Sequence, residues 1–282
     1  MRFRVTTALC LIIGAVLAAS GQASAADSHS ETRTVGSVKA TLSWKGSFED
    51  TKNFRISIER GGTRALDRRV TTPECPTPSG GFICIYPIGD HPLELRDLDG
   101  DGEPEAIVEA FTGGAHCCVI AVVYRWTQKK YAESDNNFAD PGYRLKDLNG
   151  DGRDEFLSAD ARFGYLYGSF AESVFPIQIV SFDHGKFEVT TTQFRDRVAK
   201  DTRRTKREYK QRANSRRRFG LRPALAAYVA DLYLLDRRST AKRKLHSALH
   251  HGLLAKQNRF DVGPYNRKYI RNLKHRLRRW GY

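Results

Sequence analysis

Two short acidic runs, Asp97-Leu98-Asp99-Gly100-Asp101-Gly102 and Asp147-Leu148-Asn149-Gly150-Asp151-Gly152, stand 50 residues apart and set an oxygen-bearing side chain at every second position. A carboxylate follows each run, Glu105 in one and Glu155 in the other. Side chains at positions 1, 3 and 5, the carbonyl of Glu103 or Arg153 at 7 and the carboxylate at 9 can surround a hard cation with oxygens about 2.4 Å away, and Gly at 6 permits the sharp turn. The pattern predicts two calcium sites. Val108 and Ser158 stand where an EF-hand would place its bidentate Glu, so a strand, not a helix, is expected after each loop. An Asp-Gly turn between strands is the plainer use of these residues, but carboxylates crowded into one turn repel each other without a cation.

The elements that must hold these loops are strands. Thr34 to Trp44 and Phe54 to Val70 are rich in Thr, Val, Ile and Phe and tend to alternate, with Gly61-Gly62 as a hairpin turn. Leu93–Arg96 leads into the first loop and Glu105–Phe111 leaves it; Tyr143–Lys146 and Glu155–Ser158 do the same for the second. Cys117 to Trp126, Ser173 to Phe182 and Phe187 to Phe194 complete the set, with a hairpin turn at Asp183-His184-Gly185-Lys186 and Pro176 marking an edge or bulge. Residues 27–194 are therefore expected to form an antiparallel β domain carrying two loop units, 93–142 and 143–194. Beyond Arg195 the period changes. Residues 195–222 are predicted to be a basic linker or exposed helix, and 223–282 a cationic module of three helices, with Leu225, Tyr228, Val229, Leu232 and Leu235 at helical spacing. The expected class is mainly β, an antiparallel sandwich or a partial, open propeller, followed by a small all-α C-terminal module.

The two loop units resemble FG-GAP or VCBS repeats, the units of integrin α-chain propellers and of many exported bacterial proteins. In that family the loop Asp-x-Asp/Asn-x-Asp-Gly-x-x-Asp/Glu binds calcium, which carries over to Asp97, Asp99, Asp101 and Glu105 and to Asp147, Asn149, Asp151 and Glu155. The resemblance covers about residues 93 to 190. Two units are too few to close a ring, and the Phe-Gly and Gly-Ala-Pro signatures are only echoed at Phe163-Gly164 and Gly113-Gly114-Ala115. The family implies a calcium-stiffened binding surface and no common catalytic activity.

Residues 1–26 have the basic, apolar and small-residue order of a secretory signal, so export to the cell envelope or beyond is expected, and no later stretch is long and apolar enough to span a membrane. Four cysteines remain after it, Cys75, Cys84, Cys117 and Cys118. An even number in an oxidising compartment predicts disulfides; the favoured pattern joins Cys117 and Cys118 to different partners, with a vicinal bridge or a zinc site beside His116 as lesser readings. Charge is split along the chain: residues 1–194 hold 20 Lys and Arg against 26 Asp and Glu, and residues 195–282 hold 27 against 6. The cationic part suits an anionic envelope polymer or a protein partner, with nucleic acid possible but not favoured. No nucleophile elbow, HExxH helix or phosphate loop occurs, and no catalytic residue is assigned. The function expected is non-catalytic binding or adhesion; the alternatives are a hydrolase of envelope polymers with the β domain as accessory, and a cationic nucleic-acid binder.

Overall fold

Alternation between Ser28 and Arg69 becomes a four-stranded antiparallel meander, β1 (Ser28–Val35), β2 (Val38–Lys45), β3 (Lys52–Arg60) and β4 (Thr63–Arg69). The computed structural model describes residues 27–47, 51–72, 85–116, 118–256, 259 and 261–282. The expected export signal, Cys75, Cys84 and Cys117 lie outside the described residues. Gly61 and Gly62 both have positive φ, 53° and 81°, which lets the β3–β4 turn follow the twist of its strands. Ala40 pairs with Ile58 and Leu42 with Ile56, and these four are buried together with Val38 and Phe54.

The second sheet places β7 (Glu105–Phe111), β8 (Val119–Trp126) and β9 (Tyr131–Ala139) side by side, with β5 (Tyr86–Pro87) and β6 (Leu93–Arg96) both paired to β7. The third is again a four-stranded meander, β10 (Arg144–Lys146), β11 (Glu155–Ala159), β12 (Ile177–Asp183) and β13 (Lys186–Val189). Each sheet stays open.

The sheets stack in chain order. Ala106, Val108, Ala110, Ile120, Val122 and Tyr124 of the second sheet pack on the first, while Ile107, Ala121 and Val123 point the other way, onto Phe156, Val180 and Phe182 of the third. Burial on both faces explains why β7 and β8 are apolar almost throughout instead of alternating. The far face of the third sheet, with Leu157, Ile177 and Ile179, packs on Val198 of helix α1 (Arg195–Asn214).

Helices α2 (Leu221–Leu234), α3 (Arg238–His250) and α4 (Asn266–Arg279) complete the chain. Helix α2 is buried over most of its length and forms the centre of the helical part, which also takes in Phe163, Leu166 and Tyr167.

Three details differ from expectation. Residues 195–214 are a helix with Val198, Thr202 and Thr205 buried, so it is neither linker nor free-standing. Its threonines are satisfied inside, Thr202 Oγ1 donating to the Val198 carbonyl at 2.7 Å and Thr205 Oγ1 to Asp231 at 2.6 Å. The strand expected from Ser173 begins at Ile177, after Pro176, whose missing N–H keeps it outside the ladder. Likewise the strand expected from Cys117 begins at Val119.

Candidate metal centre

Each acidic run is the connection of a short antiparallel pair. The first joins β6 to β7 above the pair Arg96↔Glu105, and the second joins β10 to β11 above Lys146↔Glu155. Their internal hydrogen bonds coincide. Asp97 Oδ1 accepts from Gly100 N at 2.7 Å and Oδ2 from Gly102 N at 2.9 Å; Asp147 accepts from Gly150 N at 2.6 Å and Gly152 N at 3.0 Å. Asp101 and Asp151 each take the N–H two residues on, both at 2.9 Å. Glu105 and Glu155 reach back to the N–H of Leu98 and Leu148 at 2.8 and 3.0 Å. Glycine is required at the fourth and sixth positions, where φ lies between 76° and 88° in both loops.

Ligand geometry then separates them. In the first loop Asp97, Asp99 and Glu105 each offer a carboxylate oxygen within 4.8 Å of the others, the one such group of three among the described residues. Glu105 is wholly buried and the Asp99 side chain has no exposed surface. Asp99 Oδ1 and Glu105 Oε1 are buried with no hydrogen-bond partner among the described residues. Burial foremost, then Asp99, Asp101 and Asp97, push the Glu105 carboxyl up to about 8 against the pull of the Leu98 N–H.

Asp101 is turned aside, its Oδ2 held by Arg125 at 2.6 Å. The Glu103 side chain pairs with Arg60 of β3 at 2.6 Å, so only its carbonyl is left for the expected role.

In the second loop Asn149 stands where the first has Asp99, so two carboxylates, Asp147 and Glu155, occupy the corresponding positions. Arg153 folds back onto Asp151 at 2.8 Å and Asn149 Nδ2 donates to the same oxygen at 2.9 Å. Together with the Arg153 N–H these contacts hold the Asp151 carboxyl down at about 2. Burial raises Glu155.

Sequence reasoning missed three residues that build the first site. Arg125 on β8 grips Asp99 Oδ2 through Nε at 2.5 Å as well as Asp101; its only signal is a lone charge near the end of an apolar strand. His184, in the β12–β13 turn, donates its backbone N–H to Asp99 at 3.2 Å. Arg153 lies over Gly100, where a Cβ would come within 2.9 Å of its Cδ, so the two loops touch.

The zinc candidate His116 is exposed and stacks on Phe170 with ring centres 3.7 Å apart. His246 and His250 line one pocket with Tyr265 and Arg267, and no acidic or thiol side chain is among its lining residues. Of the four cysteines only Cys118 is described, and it is buried.

No family model matches the sequence and no solved structure matches it. A stretch of 98 residues, 33% of the chain, is 37% identical to part of a probable thylakoid lumen protein of Synechocystis and covers 29% of that protein. Another comparison pairs 86 residues, 29% of the chain, at 35% identity with an uncharacterized protein of Sinorhizobium fredii, of which it covers 13%. The matched stretches span less than a third of these curated relatives. No helix among the described residues is long and apolar enough to cross a membrane.

Proposed function

We propose that this chain is an extracytoplasmic, calcium-stiffened binding protein of the FG-GAP or VCBS type, without catalytic function of its own. One observation carries the calcium: two buried carboxylate oxygens beside Asp97, Asp99 Oδ1 and Glu105 Oε1, have no hydrogen-bond partner among the described residues. An all-oxygen, multiply acidic set suits a hard cation, and thiolate and imidazole, which softer metals prefer, are absent from it. Asp97, Asp99 and Glu105 would hold the ion in the first loop, with Asp101 and the Glu103 carbonyl joining once Arg125 gives way. The second loop is the weaker site, since Arg153 must leave Asp151 before Asp147, Asn149, Asp151 and Glu155 can gather.

Other features support the same reading. Three stacked antiparallel sheets, two of them with an acidic loop joining a pair of adjacent strands, have the layout of propeller blades. The lumenal name of the Synechocystis relative supports a place outside the cytoplasm. The even number of cysteines after the expected signal suits disulfides in such a compartment.

Calorimetry on the purified protein tests the proposal. Calcium is expected to bind in the roughly 10⁻⁴ M range of extracellular modules, and Asp99→Asn should remove the tighter event. Absence of both heat and a melting shift at millimolar calcium would sink the reading. Arg125→Met probes the occupied side of the site. Without the guanidinium, Asp99 and Asp101 keep their full negative charge, so calcium should bind at least about tenfold more tightly while the calcium-free protein melts lower. Weaker binding would show that Arg125 assembles the loop and does not compete with the ion.

A further inference from the structure

Between helix α1 and the third sheet lies a cleft of about 960 Å³. Its walls carry Arg144 on β10 and Arg197, Lys200, Arg203, Arg204 and Arg207 on α1, against two carboxylates, Asp201 and Glu208. Both carboxylates are already engaged by one cation. Arg204 Nε binds Asp201 at 2.6 Å, its NH1 binds Glu208 at 2.9 Å, and its NH2 donates to the Phe175 carbonyl at 2.7 Å. Asp201 also accepts from Ile177 N at 3.1 Å. Arg204 is therefore part of the floor. The side chains of Arg144, Arg197, Lys200, Arg203 and Arg207 make no hydrogen bond or ion pair among the described residues, and all but Arg197 are exposed.

Five uncompensated cations facing one concavity repel each other and lower the stability of the fold, so an anionic occupant would relieve them. Positions 197, 200, 203 and 207 follow one face of the helix and span about 15 Å at 1.5 Å per residue. That is a stripe, longer than a single phosphate or carboxylate can fill. The aromatic rings at the cleft are not platforms for bases: Tyr143 is wedged between Phe138 and Phe156 at 4.7 and 4.9 Å, and Phe175 lies against Phe170 at 5.8 Å. Sequence-tolerant binding of single-stranded nucleic acid relies on such platforms; a duplex, held by its phosphates alone, is an arm of the test.

We infer that this cleft binds a linear acidic glycopolymer, one carboxylate or phosphate per repeat, laid along α1 between Arg144 and the Arg197–Arg207 stripe. The assignment rests on the reading of the chain as a binding protein and gives that reading a surface separate from the calcium loops.

The test measures binding of the full protein at low and moderate salt to oligogalacturonate, to oligomeric glycerol phosphate and to a DNA duplex. One of the two glycopolymers should bind, and which one does identifies the charged group. Arg203→Glu with Arg207→Glu should weaken it at least tenfold and make the salt dependence shallower. Lys206→Glu with Lys210→Glu, an equal charge change on the same helix outside the cleft, should change it less than about threefold. Equal losses in the two pairs, tighter binding of DNA than of either glycopolymer, or no binding at low salt would each overturn the assignment. Melting with and without calcium is read on the same samples. A calcium shift retained while glycopolymer binding fails removes the cleft assignment alone; loss of the calcium shift in the parent removes the reading beneath it.

Discussion

Calcium-free protein carrying Glu105→Gln should be more stable than the parent at neutral to mildly basic pH, and calcium should reverse the order. In the unfolded chain Glu105 ionises near the ordinary carboxylate value, but in the fold it holds its proton up to about 8, chiefly because it is buried. Between those values the folded state binds more protons than the unfolded one. The group's contribution is therefore fullest below about pH 4.5 and is lost as pH climbs through about 8, a change of roughly 5 kcal/mol. A cation among Asp97, Asp99 and Glu105 favours the ionised form, so calcium should bind more tightly as pH rises through the same window. Glutamine keeps an acceptor for the Leu98 N–H and never ionises. Melting curves in chelator and in excess calcium, near pH 5 and near pH 8, decide the matter. The parent should gain several degrees from calcium at the higher pH, and the variant little. Equal gains in both proteins would remove Glu105 from the ligand set.

Arg222→Ala should be the most damaging single change in the helical part. Arg222 is 1% exposed, in the first turn of α2, among apolar neighbours. Its guanidinium donates to the carbonyls of Val262, Pro264 and Tyr167 at 2.9, 3.0 and 3.2 Å, pairs with buried Asp261 at 3.3 Å, and lies 4.5 Å from the centre of the Tyr265 ring. Removing it takes a donor from three carbonyls and the opposite charge from buried Asp261, and losses of about 3–5 kcal/mol follow when a buried pair loses one partner. A chain of this size should melt about 6–20 °C lower. Arg222→Met combined with Asp261→Leu should recover part of that, since an apolar pair of similar volume replaces an ionic one at little net change. A single variant melting within about a degree of the parent would show that the segment before α4 is held by other contacts.

These two sites differ in how far the sequence disclosed them. The acidic loops were legible because their chemistry is local: ligands, glycines and the returning glutamate lie within nine residues of one another. Arg125, His184 and Arg222 were not, because each acts on groups supplied by distant segments. Hairpins at Gly61-Gly62 and His184-Gly185 could be read from turn residues, yet the stacking of three sheets could not. The unbroken apolar runs of β7 and β8 say that both faces are covered without saying by what. Helix α1 was read as linker or exposed helix because threonine, not leucine, lines part of its buried face, and only the partners Val198 O and Asp231 make that burial tolerable.

The stacking order has a consequence for how the chain can acquire its structure as it is made. First sheet, second sheet, third sheet and helices lie in space in the order in which they leave the ribosome or a translocation channel. Among the sheets, each new layer closes the apolar face that its predecessor left bare. The Leu157, Ile177 and Ile179 face of the third sheet is covered by α1 together with Leu234 and Leu235 at the end of α2, and Phe163, Leu166 and Tyr167 stay bare longest, until α4, Trp280 and Tyr282 arrive.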